Sequence, residues 1–338
     1  MPITDQFQRP LHDLRISVID RCNFRCPYCM PDEQFHHAYQ FLDKNEWLSF
    51  DEIYRLVNIF VRLGVEKVRL TGGEPLLRPD IHKLIEMLFS IKGIKDLALT
   101  TNGSLLKDQA GLLRKSGLKR LTVSLDSLEP EVFKILSGGR GNIEDVLNGI
   151  KAAEEAGFES IKINAVVKRG VNDKTCIDLV RFFRGSKHKL RFIEYMDVGN
   201  QNHWDLSQVV PSKELMEKIN EIYPLKFVGS TEDGETSERY QFIDGQGEIG
   251  FISSVSRPFC GTCNRLRLSA EGKMYTCLFA TDGEDLREHL RSNLKDEELA
   301  QLIQSVWHKR QDRYSELRSQ IRESHSQIHK VEMYQIGG

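Results

Sequence analysis

Over the first two-thirds of the chain, short apolar runs alternate with longer amphipathic stretches. Leu14–Ile19, Lys67–Thr71, Asp96–Thr101, Arg120–Leu125, Ser160–Val167 and Leu190–Met196 have the length and composition of strands. Between them, Phe50–Leu63, Asp80–Ile91, Leu105–Lys115, Ile143–Ala156 and Asn172–Gly185 repeat apolar residues at helical spacing. Gly64, Gly93, Gly117 and Gly157 stand where helices should stop. About six βαβ-type units predict an α/β fold, an incomplete (β/α)6 TIM-type barrel, with a doubly wound sheet as the alternative. After Met196 the pattern changes to a helix at Pro211–Tyr223, hairpin signals at Tyr240–Ile243, Glu248–Ser253, Leu266–Ser269 and Met274–Leu278, and a helical run from Glu284 to Ser324. The expected organisation is a core at 1–200 and a C-terminal α+β extension at 201–338.

Composition narrows the class. The 338 residues carry a net charge of −2, so nothing global points to nucleic acid or an anionic membrane. No apolar run approaches the roughly 18 residues of a membrane span, and the first residues lack a signal-peptide pattern. The seven cysteines divide into three, three and one, which argues for a reducing, cytoplasmic setting rather than a disulfide framework.

The first set, Cys22, Cys26 and Cys29, has the spacing C-x3-C-x2-C. It brings three thiolates to one small volume, one fewer than a closed zinc or four-iron site uses. A three-thiolate cluster keeps one iron open; a zinc knuckle is the bland alternative. The second set, Cys260, Cys263 and Cys277, has the spacing C-x2-C-x13-C, again with no adjacent histidine as fourth ligand. Zinc is the stronger competitor here, against a second open iron–sulfur cluster. Cys176 reads as a small buried hydrophobe.

Two further features concern charge and backbone. Thr71-Gly72-Gly73-Glu74-Pro75 follows a strand, where paired glycines make a turn or permit close backbone approach to a ligand. Arg265 and Arg267 alternate with leucines, so both face one side of a strand. Arg15, Arg69, Lys162 and Arg191 add cations on other strands without evident carboxylate partners. A ligand with about four negative charges would satisfy them, because arginine binds phosphate bidentately.

The first triad with an aromatic before its last Cys resembles the radical S-adenosylmethionine (SAM) superfamily. The Asp13–Ser17 strand, Cys26–Pro31, Arg69–Pro75, Thr100–Gly103, Ser124–Asp126, Arg191–Asp197, Cys260–Arg267 and the terminal Gly337-Gly338 together resemble its GTP 3′,8-cyclase family, from about residue 13 to the end. Asp32–Trp47 and Gly229–Ser237 carry no resemblance. The resemblance implies two [4Fe-4S] clusters, the first on Cys22, Cys26 and Cys29 with SAM, the second on Cys260, Cys263 and Cys277 against the guanine. It implies SAM contacts from Tyr28, Gly72, Gly73, Glu74, Ser124 and Met196, with Tyr28 and Met196 acting through backbone. GTP contacts fall to Arg15, Arg69, Thr100, Lys162, Arg265, Leu266 and Arg267, with Arg191, Lys67 and Asn164 as weaker candidates. The Gly337-Gly338 tail would reach into the site. The implied activity opens molybdenum cofactor biosynthesis: a 5′-deoxyadenosyl radical removes the ribose C3′ hydrogen of GTP, and C3′ then bonds to C8. Implied partners are a flavodoxin- or ferredoxin-type electron donor and a cyclic pyranopterin monophosphate synthase that takes the product, in a monomer or homodimer. The competing readings are a radical SAM enzyme acting on a peptide, which needs no row of cations, and a zinc-stabilised binding module.

Overall fold

The parallel strands of this chain alternate polar and apolar side chains, whereas parallel strands covered on both faces usually read as continuous apolar runs. The computed structural model describes residues 2–35, 38–229, 234–292, 294–323 and 329–337. Its N-terminal part runs β1 (Asp13–Ser17), α1 (Phe50–Arg62), β2 (Lys67–Thr71), α2 (Ile81–Phe89), β3 (Asp96–Thr101), α3 (Leu106–Lys115), β4 (Arg120–Ser124), α4 (Pro130–Leu136), α5 (Ile143–Glu155), β5 (Lys162–Val167), α6 (Cys176–Phe183) and β6 (Lys189–Glu194). The C-terminal part adds α7 (Ser212–Ile222), β7 (Leu225–Gly229), β8 (Glu238–Phe242), β9 (Glu248–Ile252), β10 (Arg265–Leu268), β11 (Lys273–Tyr275) and β12 (Glu284–Asp285). It ends with α8 (Leu286–Arg291), α9 (Asp296–His308), α10 (Tyr314–Glu323) and α11 (Met333–Ile336).

Among the described residues one sheet holds every named strand, in the order β12-β11-β10-β1-β2-β3-β4-β5-β6-β9-β8-β7. Strands β1 to β6 are mutually parallel, β10 runs parallel to β1, and β9 runs parallel to β6. One face takes Leu14, Ile16, Val68, Leu70, Leu97, Leu99, Leu121, Val123, Ile163, Ala165, Leu190 and Phe192, all buried in the apolar core with the helices. The register sets Arg267, Arg15 and Arg69 side by side on the other face, and continues with Thr100, Thr122 and Lys162. Flat strands about 4.8 Å apart would hold β2 and β6 roughly 19 Å from one another. Arg191 on β6 nevertheless feels the charge of Arg69 on β2, so the sheet curls its polar face inward. The chain from β9 to β10 leaves the C-terminal end of one flank and enters the N-terminal end of the other. Glu194 fixes its start, accepting from the Val255 and Ser256 backbone N–H groups at 2.8 and 2.7 Å and from Ser212 N–H at 2.7 Å.

Several expectations change. The predicted helical run from Glu284 to Ser324 is interrupted: it contains β12 and three separate helices, and Ser324 lies outside the described residues. Gly64, Gly117 and Gly157 directly follow the C-caps of their helices, but α2 ends at Phe89, so Gly93 belongs to the loop beyond it. α4 and β7 were not anticipated from the pattern.

The chain's two ends are tied by a buried ion cluster. Arg9 Nε donates to Asp5 at 2.6 Å and Arg310 Nη1 at 3.3 Å, with all three side chains at most 1% exposed. Trp307, fully buried, donates its indole N–H to the Arg9 carbonyl at 3.2 Å. Asp5→Ala leaves two buried guanidinium groups without their shared carboxylate. It should cost about 3–5 kcal/mol of unfolding free energy, measured by denaturant titration; a loss under about 1 kcal/mol, the range of an exposed pair, would overturn this account.

Candidate active site

The first triad sits in the loop that leaves the C-terminal end of β1, and the Gly72-Gly73 loop leaves the same end of β2. Their contact is too close for side chains: a Cβ on Gly73 would meet the Arg21 carbonyl oxygen at 2.2 Å, and Gly73 N–H donates to the Ile19 carbonyl at 2.7 Å. Glu74 is 1% exposed and accepts from Thr101 Oγ1 and Asn102 N–H, each at 2.7 Å, and from Leu76 N–H at 3.1 Å. Its carboxylate is therefore held by donors of the Gly72-Gly73 loop and the end of β3. Burial raises its pKa to about 7 against those donors. Asn102, not anticipated from sequence, extends this network to Asn23 Oδ1 at 2.8 Å and to Cys22 Sγ at 3.9 Å. Tyr28 gives its hydroxyl to Asp126 at 2.7 Å, and Val166 N–H donates to the other carboxylate oxygen at 2.8 Å, so Tyr28 offers the loop interior only its backbone. Ser124 ends β4 at this same end, and Asn202 donates to the Met196 carbonyl at 3.0 Å, which leaves that oxygen a second acceptor site.

The three thiols of this loop are free. Burial pushes the Cys22 thiol up to about 12, and Cys26 rises by burial and by the adjoining Cys22 and Cys29. Phe24 N–H points at Cys22 Sγ at 3.4 Å. Mutually interacting sulfurs with N–H donors fit a thiolate-ligated cluster. Among the described residues no set of three His, Cys, Asp or Glu side chains is drawn in tightly enough for a single metal ion.

On the polar face, Arg69 Nη1 donates to Thr100 and Thr122 hydroxyls, both at 3.0 Å, and Arg191 donates to Asn164 Oδ1 at 2.9 and 2.7 Å. No carboxylate lies within ion-pair distance of Arg15, Arg69, Lys162, Arg191, Arg265 or Arg267 among the described residues. Burial and then neighbouring cations depress five of them, Lys162 to about 7, Arg191 to about 9 and Arg267 to about 10, whereas Arg265 is raised against its burial by the Cys263 sulfur. Lys67 starts β2 beside Asp13 and Asp96 in the pairing register. Leu266 pairs with Leu14 in the register, and its side chain is fully buried on the apolar face.

The second triad lies at the other end of the strands, where β10 begins. Arg310, which the sequence pattern did not single out, donates to the Cys263 carbonyl at 2.7 Å and to Cys263 Sγ at 3.3 Å; Arg265 reaches the same sulfur at 3.3 Å, and Arg9 holds the Cys260 carbonyl at 2.8 Å. Burial alone would raise the Cys263 thiol, but Arg265 and Arg310 outweigh it and bring it to about 6. A thiolate available at neutral pH fits metal ligation.

Known proteins agree with this arrangement. Models of the radical SAM superfamily and of Molybdenum Cofactor Synthesis C match residues 16–183 and 188–316. A protein of Xanthomonas axonopodis pv. citri named GTP 3′,8-cyclase is 52% identical over 100% of this chain and 99% of its own. Equally named proteins of Acidothermus cellulolyticus and Staphylococcus carnosus are 48% and 44% identical, over 100% and 99% of this chain and 99% of theirs. The chain belongs to the GTP 3′,8-cyclase family. Among solved structures, Streptococcus suis SuiB bound to S-adenosylmethionine superposes with TM-score 0.60 at 18% identity, over 83% of this chain and 64% of that one, a likeness of fold alone.

In this family member the C-terminal tail is embedded. Arg267 Nη1 donates to the Gly337 carbonyl at 2.7 Å, Ile336 is fully buried, and the Tyr334 and Tyr39 hydroxyls meet at 2.7 Å over the first triad's loop. Gly338 lies outside the described residues. The tail's approach is anchored by Asp197, which takes Arg318 Nε at 2.9 Å, Tyr314 OH at 2.6 Å and Lys330 Nζ at 3.3 Å. Gly337 has φ +68°, and a Cβ there would stand 2.1 Å from Thr71 Cγ2. Gly337→Val should expel the tail through about 1–3 kcal/mol of backbone strain plus that clash, read as faster amide exchange at 333–336 with an unchanged core; unchanged exchange there would contradict the packing described.

Proposed function

We propose that this chain is a radical SAM enzyme that converts GTP to (8S)-3′,8-cyclo-7,8-dihydroguanosine 5′-triphosphate, the first step of molybdenum cofactor biosynthesis. The observation that carries this reading is the full-length 52% identity to a GTP 3′,8-cyclase, supported by six polar-face cations with no carboxylate within ion-pair distance among the described residues. We read β1 to β6 as the incomplete (β/α)6 barrel, residues 1–200 as its core, and 201–338 as the extension that covers its open side.

Cys22, Cys26 and Cys29 would hold a [4Fe-4S] cluster that binds SAM, and Cys260, Cys263 and Cys277 a second [4Fe-4S] cluster. Bound there, the first cluster and SAM supply the one-electron chemistry that yields a 5′-deoxyadenosyl radical. Gly72, Gly73, Ser124 and the Tyr28 and Met196 backbones form the wall on the SAM side. Arg15, Arg69, Lys162, Arg191, Arg265 and Arg267 would hold the nucleotide, neutralising the triphosphate and fixing the ribose, with Thr100 keeping Arg69 aimed. The embedded tail narrows access for water, and that enclosure protects a radical from side reactions. A flavodoxin- or ferredoxin-type donor and a synthase acting on the product remain the expected partners. No helix among the described residues is long and apolar enough to cross a membrane.

Anaerobic reconstitution with iron and sulfide, then SAM, GTP and dithionite, should give 5′-deoxyadenosine and consume GTP. No 5′-deoxyadenosine above a Cys26→Ala control refutes the radical chemistry; radical formation without GTP loss refutes the substrate.

Lys162 supplies a second test. Its pKa of about 7 is set by burial and then by Arg191, Arg120 and Arg69. A triphosphate beside it raises that value, so binding above pH 7 takes up a proton, and affinity falls as pH rises from 7 toward the raised value. Calorimetry in two buffers of different ionisation heat should register uptake of up to one proton at pH 8. Lys162→Arg, charged throughout, should abolish it; uptake that survives the substitution assigns the proton elsewhere.

A further inference from the structure

A cavity of about 130 Å³ opens at the N-terminal ends of β4, β5, β6 and β9, and its wall includes Arg120, Lys162, Lys189, Arg191 and Arg239. Each water in liquid claims about 30 Å³, so the space suits one or two phosphoryl groups and excludes a nucleoside. Lys162 and Arg191 belong equally to the cation row described above, so the cavity continues that row outward. The outer cations differ from the inner ones in having carboxylates at hand. Glu248 lies 3.0 Å from Arg239 and 3.6 Å from Lys189, Glu235 lies 3.9 Å from Arg239, and Arg120 pairs with Asp96. Among the described residues, five cations stand against Glu235 and Glu248 on the wall, and the Nε atoms of Arg120 and Arg239 are buried without a hydrogen-bond partner.

We propose that this cavity seats the terminal phosphate of the nucleotide, and that Lys189 and Arg239 are specificity-determining residues that select triphosphate over shorter chains. The inference rests on the reading of GTP as substrate and deepens it. In the free protein Glu248 holds both cations in place across the mouth of the cavity. An arriving phosphate takes over their hydrogen bonds, and a phosphate chain one unit shorter leaves them on Glu248. Charged hydrogen bonds of this kind are each worth about tenfold or more in affinity.

The test measures GTP, GDP and GMP binding to the anaerobically reconstituted protein by equilibrium dialysis. Lys189→Ala and Arg239→Ala should each weaken GTP about tenfold, leave GMP nearly unchanged, and bring the GTP-to-GDP ratio toward one. Glu248→Gln removes the competing charge and should tighten GTP without tightening GMP, a gain that misfolding cannot produce. Equal losses for all three nucleotides, or no gain with Glu248→Gln, overturn the assignment while leaving GTP as the substrate. Wild-type protein that binds none of the three overturns the substrate reading, and this inference with it.

Discussion

Like charges crowded on the concave face of one curled sheet set the terms for everything else in this molecule. Arg15, Arg69, Lys162, Arg191 and Arg267 all have their charged forms disfavoured, by burial first and then mostly by one another. The fold offers them hydroxyls and an amide, from Thr100, Thr122 and Asn164, but among the described residues no acid within ion-pair distance. Burying charge without a counter-charge costs several kcal/mol per ion. The chain has enough acids to avoid this, yet spends them elsewhere: Asp5 ties the chain's ends, Glu194 fixes the crossing segment, and Asp197 anchors the tail. Arginine does not give up its proton in a protein, so the row holds its charge, and lysine is the one member able to yield. On the proposed reading the instability of the empty face becomes binding free energy for a polyanion, and the apolar outer core serves that recognition by holding β1 to β6 in register.

The two cysteine loops answer burial differently. Thiols of the first loop are raised, and the nearby Arg25 spends its guanidinium on backbone carbonyls of Cys22, Phe24 and Phe35. On the proposed reading, those sulfurs would give up their protons to the metal as it binds. In the second loop Arg265 and Arg310 lie against Cys263 and favour the thiolate before any metal arrives. Arg310 also joins the Asp5 cluster, so the loop's shape and its charge depend on the same buried contact between the chain's ends.

Much of this was legible in sequence, and the exceptions have physical reasons. Lys67–Thr71 and Asp96–Thr101 were bounded to the residue because alternation on strands with one apolar face leaves no freedom of register. The paired arginines of β10 followed from the same period. β7 escaped because Lys226, Phe227 and Val228 are exposed on an edge strand, where no buried face imposes a pattern. α4 escaped because Pro130 reads as a breaker, although the first helical turn tolerates it. α11 is four residues held by Tyr39, Arg267 and Asn200 from distant segments, and no local signal encodes that. The alternation along β10 also puts the Leu266 side chain in the core, and the packing of Glu74 against Thr101 and Asn102 depends on a strand remote in sequence. Asn102, Asp126 and Arg310 went unassigned because their partners are remote in sequence.

The distribution of charge along the strands bears on how two substrates share one chamber. Two buried acids stand at the C-terminal ends, where burial lifts Glu74 to about 7 and Asp126 to about 6 beside the three thiols of the first loop, whereas the acids at the N-terminal ends, Asp96 and Glu248, are paired with cations. Cations cluster from mid-strand to the N-terminal ends, from Arg15 and Arg69 to Lys189 and Arg239. On the proposed reading one substrate carries a sulfonium and the other about four negative charges, and a gradient of this sign draws them to opposite ends. Reversing either would set a sulfonium among arginines or a triphosphate among buried acids, each a like-charge encounter at low dielectric. Orientation is therefore decided before any specific hydrogen bond forms, and the hydrogen bonds of Arg69, Arg191 and the tail refine a placement that the charge layout has already imposed.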